Sequence, residues 1–151
     1  MPSNNIAGMA YTFQVVMDAR DPHVLADWWA ETLGWHVEAQ DEKFIRSMIE
    51  QGHATEADTR VYNGGLVWRE GAAINSEPER SPSTIRMYFQ EVPETKTVKN
   101  RMHLDIRLGG DDPEKVREAL VARGATILHA GSQGPHTWVT MADPEGNEFC
   151  V

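Results

Sequence analysis

QVVMDARDPHVLADWWAETLGWHVEA, from Gln14 to Ala39, reads as strand, Asp-Pro helix start, amphipathic helix, glycine stop and strand. HLDIRLGGDDPEKVREALVARGATILHA, from His103 to Ala130, repeats that order. Pro22 and Pro113 are 91 positions apart, and Gly34 and Gly124 are 90 apart. In both copies Asp (Asp21, Asp112) precedes the proline as N-cap, and the proline supplies a helical φ without a needed N–H. Leu25, Trp28, Trp29 and Leu33 form the first helical stripe; Val116, Ala119 and Leu120 form the second. Two copies of one unit face each other across a pseudo-twofold axis, so the ligand position is expected between them.

Working outward, Tyr11 to Asp18 reads as the leading strand of the first half and Trp35 to Gln40 as its second. Phe44, Ile45, Met48 and Ile49 at helical spacing, closed by Gly52, predict a short extra helix. Tyr62 to Trp68 contains a turn followed by a strand, Asn75 to Ser83 reads as an exposed loop, and Ile85 to Val92 as a strand. In the second half Met102, Leu104, Ile106 and Leu108 alternate with polar residues. Strands follow at Ala125–Ala130, Thr137–Met141 and Glu148–Val151, the last after the turn Asp143-Pro144-Glu145-Gly146-Asn147. The chain therefore reads as α+β: one domain over residues 9–151, built of two βαβββ modules that form a half-barrel cup. The first module covers 9–93 with a helical insertion at about 41–83, and the second covers 100–151. Residues 1–8 read as a flexible tail.

Composition limits the functions open to this chain. It has 151 residues, 14 Lys+Arg and 23 Asp+Glu, a net charge of −9. That balance opposes nucleic-acid and anionic-membrane partners, which need a basic footprint. Cys150 is the single cysteine, so no intrachain disulfide forms and a cytoplasmic location fits. The N-terminal MPSNNIAGMA lacks the basic start and apolar run of a signal peptide, and no stretch reaches about 20 apolar residues.

Period-two geometry assigns Phe13, Val15 and Met17 to one helix and Met102, Leu104 and Ile106 to the other. Gln14, Asp18, His103 and Asp105 then point away from the helices and into the cup. His103 near Glu148 or Asp105 would make an acid/base pair; the structural alternative is a buried histidine bonded to Asp105, Gln14 or a carbonyl. Trp28 and Leu25 fall in the core by spacing, whereas Trp29, Trp68 and Trp138, with Tyr88, are candidates for an aromatic pocket rim. The basic stretch Lys96–Arg101 reads as a loop that pairs with acidic residues, with binding of an anionic group as the alternative.

The Asp21–Gly34 helix frame, the strand Arg101-Met102-His103-Leu104-Asp105 and the terminal Asp143-Pro144-Glu145-Gly146-Asn147 resemble the vicinal oxygen chelate superfamily. That superfamily includes glyoxalase I, extradiol dioxygenases and bleomycin-resistance proteins. Lys96-Thr97-Val98-Lys99-Asn100-Arg101 is similar to a motif of its actinobacterial-type glyoxalase-like subfamily. The resemblance implies a paired βαβββ fold, a homodimer, and a divalent metal (Zn, Ni, Fe or Mn) in the metal-using members. It places ligand positions at Gln14, at Tyr88 or Gln90, at His103, and at Cys150, with Glu148 as a substitute. Both expected carboxylates are replaced, so no cofactor is expected. The expected function is binding of a small organic ligand through Gln14, Tyr88, Gln90, His103, Trp68 and Trp138, without a catalytic metal. The alternatives are a metal-dependent lyase, isomerase or dioxygenase using Gln14, His103 and Glu148, a metal-free enzyme with His103 as general base, and an interaction module.

Overall fold

Each half of the chain opens with the strand-to-helix corner that its Asp-Pro pair encodes. In the computed structural model, which describes residues 10–151, β1 (Val15–Ala19) leads into α1 (Pro22–Leu33). Asp21 caps α1 by accepting from the Val24 N–H at 3.2 Å. Gly34 ends the helix at φ 67°, in the left-handed region that a side chain disfavours. The second half opens with β7 (Leu104–Asp105) and α3 (Pro113–Ala122), capped in the same way by Asp112. The tail expected over residues 1–8 lies outside the described residues.

The remaining strands complete two sheets of identical order. The first half adds β2 (His36–Val37), α2 (Glu42–Glu50) and a hairpin of β3 (Thr59–Tyr62) and β4 (Gly65–Trp68). It ends with β5 (Gly71–Asn75) and β6 (Arg86–Glu91). The second half adds β8 (Thr126–Gln133), β9 (His136–Ala142) and β10 (Glu148–Cys150). One sheet runs β1-β6-β5-β2 and the other β7-β10-β9-β8. In each, the leading strand is an edge and pairs in parallel with the last strand of its own half. Neither sheet closes, as expected for a half-barrel, and among the described residues no helix is long and apolar enough to cross a membrane.

Several expectations need correction. β1 starts at Val15, opposite Met87, four residues later than the pattern suggested. Phe13 is therefore 90% exposed and Met102, its counterpart, 85% exposed, so neither is under a helix. Val15, Met17, Leu104 and Ile106 do pack against the core. β2 is two residues long, not six. Trp29 is no rim residue: it is fully buried at the centre of the core. β5 has no counterpart among the expected strands, although it sits between β6 and β2 with every residue buried. It lies inside the 41–83 stretch, so only α2, the turn after it and the β3–β4 hairpin stand outside the first sheet.

α1 and the helix-side faces of both sheets share one core. Leu25, Trp28 and Trp29 of α1 pack with Ile74 and Phe89 of the first sheet and with Met141 and Phe149 of the second. Trp28, Trp29 and Phe149 meet edge-to-face with ring centroids 5.1–5.9 Å apart. Both indoles donate across the seam, Trp28 to the Arg123 carbonyl at 2.9 Å and Trp29 to Asp143 Oδ2 at 3.0 Å.

Candidate functional site

The two edge strands leave a cleft of about 840 Å³ between them. One wall is β1 with the residues just before it; the other comprises the start of β7 and the turn into β10. The linker from Val92 to Arg101 lines the rest. Gln14 and His103 both line this cleft, as the repeat predicted. The displaced Phe13 and Met102 line it too, with Val16 and Val98, so apolar side chains flank those two polar ones, while the charged Asp18, Lys99 and Arg101 also reach the lining.

The turn Asp143–Asn147 positions the second wall. Asp143 is buried, and its Oδ1 accepts the backbone N–H groups of Glu145 and Asn147, both at 2.9 Å. Its Oδ2 takes the Trp29 indole, so one carboxylate shapes the turn and anchors it to α1. Glu145 then accepts from the backbone N–H groups of Arg20 and Asp21, which fixes the end of β1 against the turn.

Glu148 is engaged within the protein. Lys96 Nζ donates to its Oε1 at 2.9 Å and the Asn100 N–H to its Oε2 at 3.0 Å. Burial pushes its carboxyl up, but these hydrogen bonds and the lysine charge outweigh burial and leave it below the ordinary carboxylate range. The basic loop thus fastens to an acidic residue, the structural reading of Lys96–Arg101.

The first wall is tied down in the same manner. Arg86 Nη1 donates to Gln14 Oε1 at 3.0 Å, while its Nε and Nη2 donate to the two Glu38 oxygens at 2.9 and 3.0 Å. The Arg86 hydrogen bonds hold the Glu38 carboxyl at about 2, well below its ordinary 4.5. Tyr88 is half-buried above Gly71, where any Cβ would stand 2.1 Å from its hydroxyl. Arg86 and the close Tyr88–Gly71 approach were not anticipated; the signal available was a glycine opening a strand of small residues.

The remaining candidates separate. Gln90 is exposed on β6. Trp138 is half-buried against Gly131, where a Cβ would meet its indole at 2.5 Å. Trp68 lines a different hollow, and its carbonyl accepts from His23 Nε2 at 2.7 Å. Of the residues named from the sequence, the cleft gathers Gln14, Asp18, His103 and Glu148, and it leaves out Asp105, Cys150, Tyr88, Gln90, Trp68 and Trp138.

Gln14 faces a guanidinium and Glu148 an ammonium, so neither presents a free oxygen to a cation. On the second sheet, however, His103, Asp105 and Cys150 bring one nitrogen, one oxygen and one sulfur within 4.8 Å of one another. His103 Nε2 lies 3.3 Å from Asp105 Oδ1, with the two side chains 44% and 76% exposed. His103 is accordingly not the buried histidine of the structural alternative. Cys150 is 9% exposed, with its Sγ 3.5 Å from Thr140 Oγ1. A mixed N/O/S group of this kind suits Zn²⁺.

Comparison with known proteins fits this architecture. A family model described as "Glyoxalase-like domain" matches residues 14–151. Among solved structures, the fosfomycin resistance protein FosX from Mesorhizobium loti superposes with TM-score 0.56 at 8% identity, covering 94% of this chain and 90% of that one. A member of the glyoxalase/bleomycin resistance protein/dioxygenase superfamily from Sphaerobacter thermophilus gives 0.52 at 14% identity, covering 94% and 95%. An enzyme of the glyoxalase/bleomycin resistance protein/dioxygenase family from Burkholderia phytofirmans gives 0.52 at 16%, covering 91% and 94%. These likenesses concern the fold. A search of curated proteins gives no match.

Proposed function

Because this chain belongs to the glyoxalase-like family of the vicinal oxygen chelate superfamily, we propose that it binds a small organic ligand in the cleft between its two modules, as a cytoplasmic homodimer. The observation that carries this reading is the presence of Gln14 and His103 on one apolar-rimmed cleft of about 840 Å³, a size suited to a drug-sized molecule. The apolar body of the ligand rests on Phe13, Val16 and Met102, and His103 supplies a polar contact from the exposed second wall. Two protein cations already stand on residues the resemblance offers as ligands: Arg86 on Gln14, at the first ligand position, and Lys96 on Glu148, the substitute for the fourth. That pairing supports binding without a catalytic metal at the four-ligand set.

The test is a fragment screen by ¹⁵N NMR on the purified protein, paired with elemental analysis. Binders that shift the amides of residues 13–18 and 98–104, with no stoichiometric metal, support the proposal. Stoichiometric metal whose retention depends on His103 overturns it.

The His103, Asp105 and Cys150 cluster favours a second reading, a metal-dependent lyase, isomerase or dioxygenase in which the ion binds on the second sheet, at the His103 side of the cleft. Bound there, the ion would polarise substrate oxygens as a Lewis acid. Reconstitution with Zn²⁺, Ni²⁺, Fe²⁺ and Mn²⁺ separates the two readings. Retention by the wild type but not by Cys150→Ser establishes the second, and retention of none of the four removes it.

A further inference from the structure

A second hollow, about 690 Å³, lies between α2, the turn after it and the ends of β4 and β6. It shares one lining residue, Val92, with the cleft. Its largest apolar side chains are Phe44, Met48 and Trp68. Phe44 is 52% exposed, although it lies on the helix that presents the apolar stripe of this segment. An aromatic side chain left open beside a tryptophan offers a face to a ligand rather than to the core.

The charges around this surface are not balanced. Arg69 is spent on the turn: its Nε donates to the Ala57 carbonyl and its Nη2 to the Thr59 carbonyl, both at 3.1 Å. Asp58 is spent there too, its Oδ2 accepting from the Thr55 N–H at 2.8 Å. These two opposite charges sit at neighbouring backbone positions, since the Arg69 N–H donates to the Asp58 carbonyl at 2.9 Å. Glu70 and Glu91 remain. The Glu91 N–H donates to the Glu70 carbonyl at 2.7 Å, so the two glutamates occupy neighbouring backbone positions, and both line the hollow. Among the described residues, neither carboxylate has a hydrogen-bond or ion-pair partner.

We propose that this hollow is a binding site for an organic ammonium ion, its apolar body against Phe44, Met48 and Trp68 and its charged head at Glu70 and Glu91. Two carboxylates without a protein partner on neighbouring backbone positions give this end of the hollow a negative charge that attracts a cation. Aromatic faces add attraction for the same charge and none for an anion. The site draws on the segment outside the first sheet, which gives α2 and the hairpin a role independent of the cleft and of whatever occupies it.

The experiment compares three probes of similar apolar body: 2-phenylethylammonium, 3-phenylpropanol and 3-phenylpropionate, titrated into the full chain and followed by ¹⁵N NMR. The expected result is saturable shifts at Glu70, Gly71 and Glu91 with the ammonium alone. The double variant Glu70→Gln/Glu91→Gln weakens its binding about fivefold, since exposed ion pairs are worth well under a decade each. Both residues are on the surface, so the variant retains the wild-type urea midpoint, which is measured alongside. Equal binding of all three probes overturns the proposal, as does the absence of saturable shifts. So do unchanged ammonium affinity in the folded double variant and shifts confined to Gln14 and His103.

Discussion

The two sheets share a strand order, and each has a ligand-side residue held by a protein cation, Gln14 by Arg86 and Glu148 by Lys96. They differ in what else they present. On the first, Arg86 binds Gln14 and Glu38, and Tyr88 lies tight over Gly71, so that wall is internally paired. On the second, His103 and Asp105 stand largely in solvent beside the Cys150 thiol, with one contact of 3.3 Å between them. A duplicated fold thus need not duplicate its chemistry. Both copies carry paired residues, and the second alone adds a solvent-facing imidazole and carboxylate that are free to meet a ligand.

The largest expected effect comes from breaking what joins the copies. Trp29→Ala removes a fully buried indole and its hydrogen bond to the Asp143 carboxylate that shapes the second wall, leaving Oδ2 with Asn147 Nδ2 alone. It should cost about 4 kcal/mol in urea denaturation. Both halves should unfold in one transition; two separate transitions would show that the modules are independent. Next comes the glycine–aromatic approach found in each sheet. Gly71→Ala places a Cβ 2.1 Å from the Tyr88 hydroxyl and 2.7 Å from the Phe89 carbonyl, and a backbone atom cannot step aside. For Gly131→Ala the three nearest atoms all belong to the Trp138 indole, the first at 2.5 Å, and a side chain can rotate away. We expect a loss of roughly 2 kcal/mol for the first and about half that for the second. Equal losses would mean that the two walls are equally rigid.

What the sequence disclosed follows from how local each feature is. The Asp21-Pro22 and Asp112-Pro113 starts and the Gly34 stop are written within a few residues, and they appear where expected. The cleft position was legible as well, because a repeat places Gln14 and His103 by symmetry. β5 was not. Gly71-Ala72-Ala73 has neither bulk nor β-branching, and its place is dictated by Tyr88, seventeen positions beyond Gly71. The second wall hid in the same way. Asp143 was recognised as a turn residue, yet its bond to Trp29 spans 114 positions. Lys96 reaches Glu148 across 52 and Arg86 reaches Gln14 across 72, so the internal neutralisation of the metal-ligand positions has no local signature.

The paired wall also carries the clearest pH dependence. Glu38 is held at about 2, chiefly by the Arg86 hydrogen bonds, against an ordinary 4.5. A folded-state value below the unfolded one stabilises the protein above the unfolded value, and that stability is lost as pH falls toward the folded value. Glu38→Gln should therefore cost about 1–2 kcal/mol at pH 7, a figure discounted because the pair is partly solvated. The cost should shrink between pH 4.5 and 2 as the wild-type carboxyl itself becomes protonated, which urea titrations across that range would follow. A constant cost at all pH values would mean that packing, not charge, holds the wall.

The smallest stability effect is expected on the open wall. His103→Ala removes a side chain that is 44% exposed and whose protein contact is an Asp105 carboxylate itself 76% exposed. Solvent screens such a pair, so the change by calorimetry should stay within about 0.5 kcal/mol. The same substitution should abolish whatever ligand or metal response the cleft shows, since no other imidazole lines it. Stability and binding would then be divided between the two walls. A loss as large as that of Glu38→Gln would instead make His103 part of the scaffold, and the contrast between the two sheets would disappear.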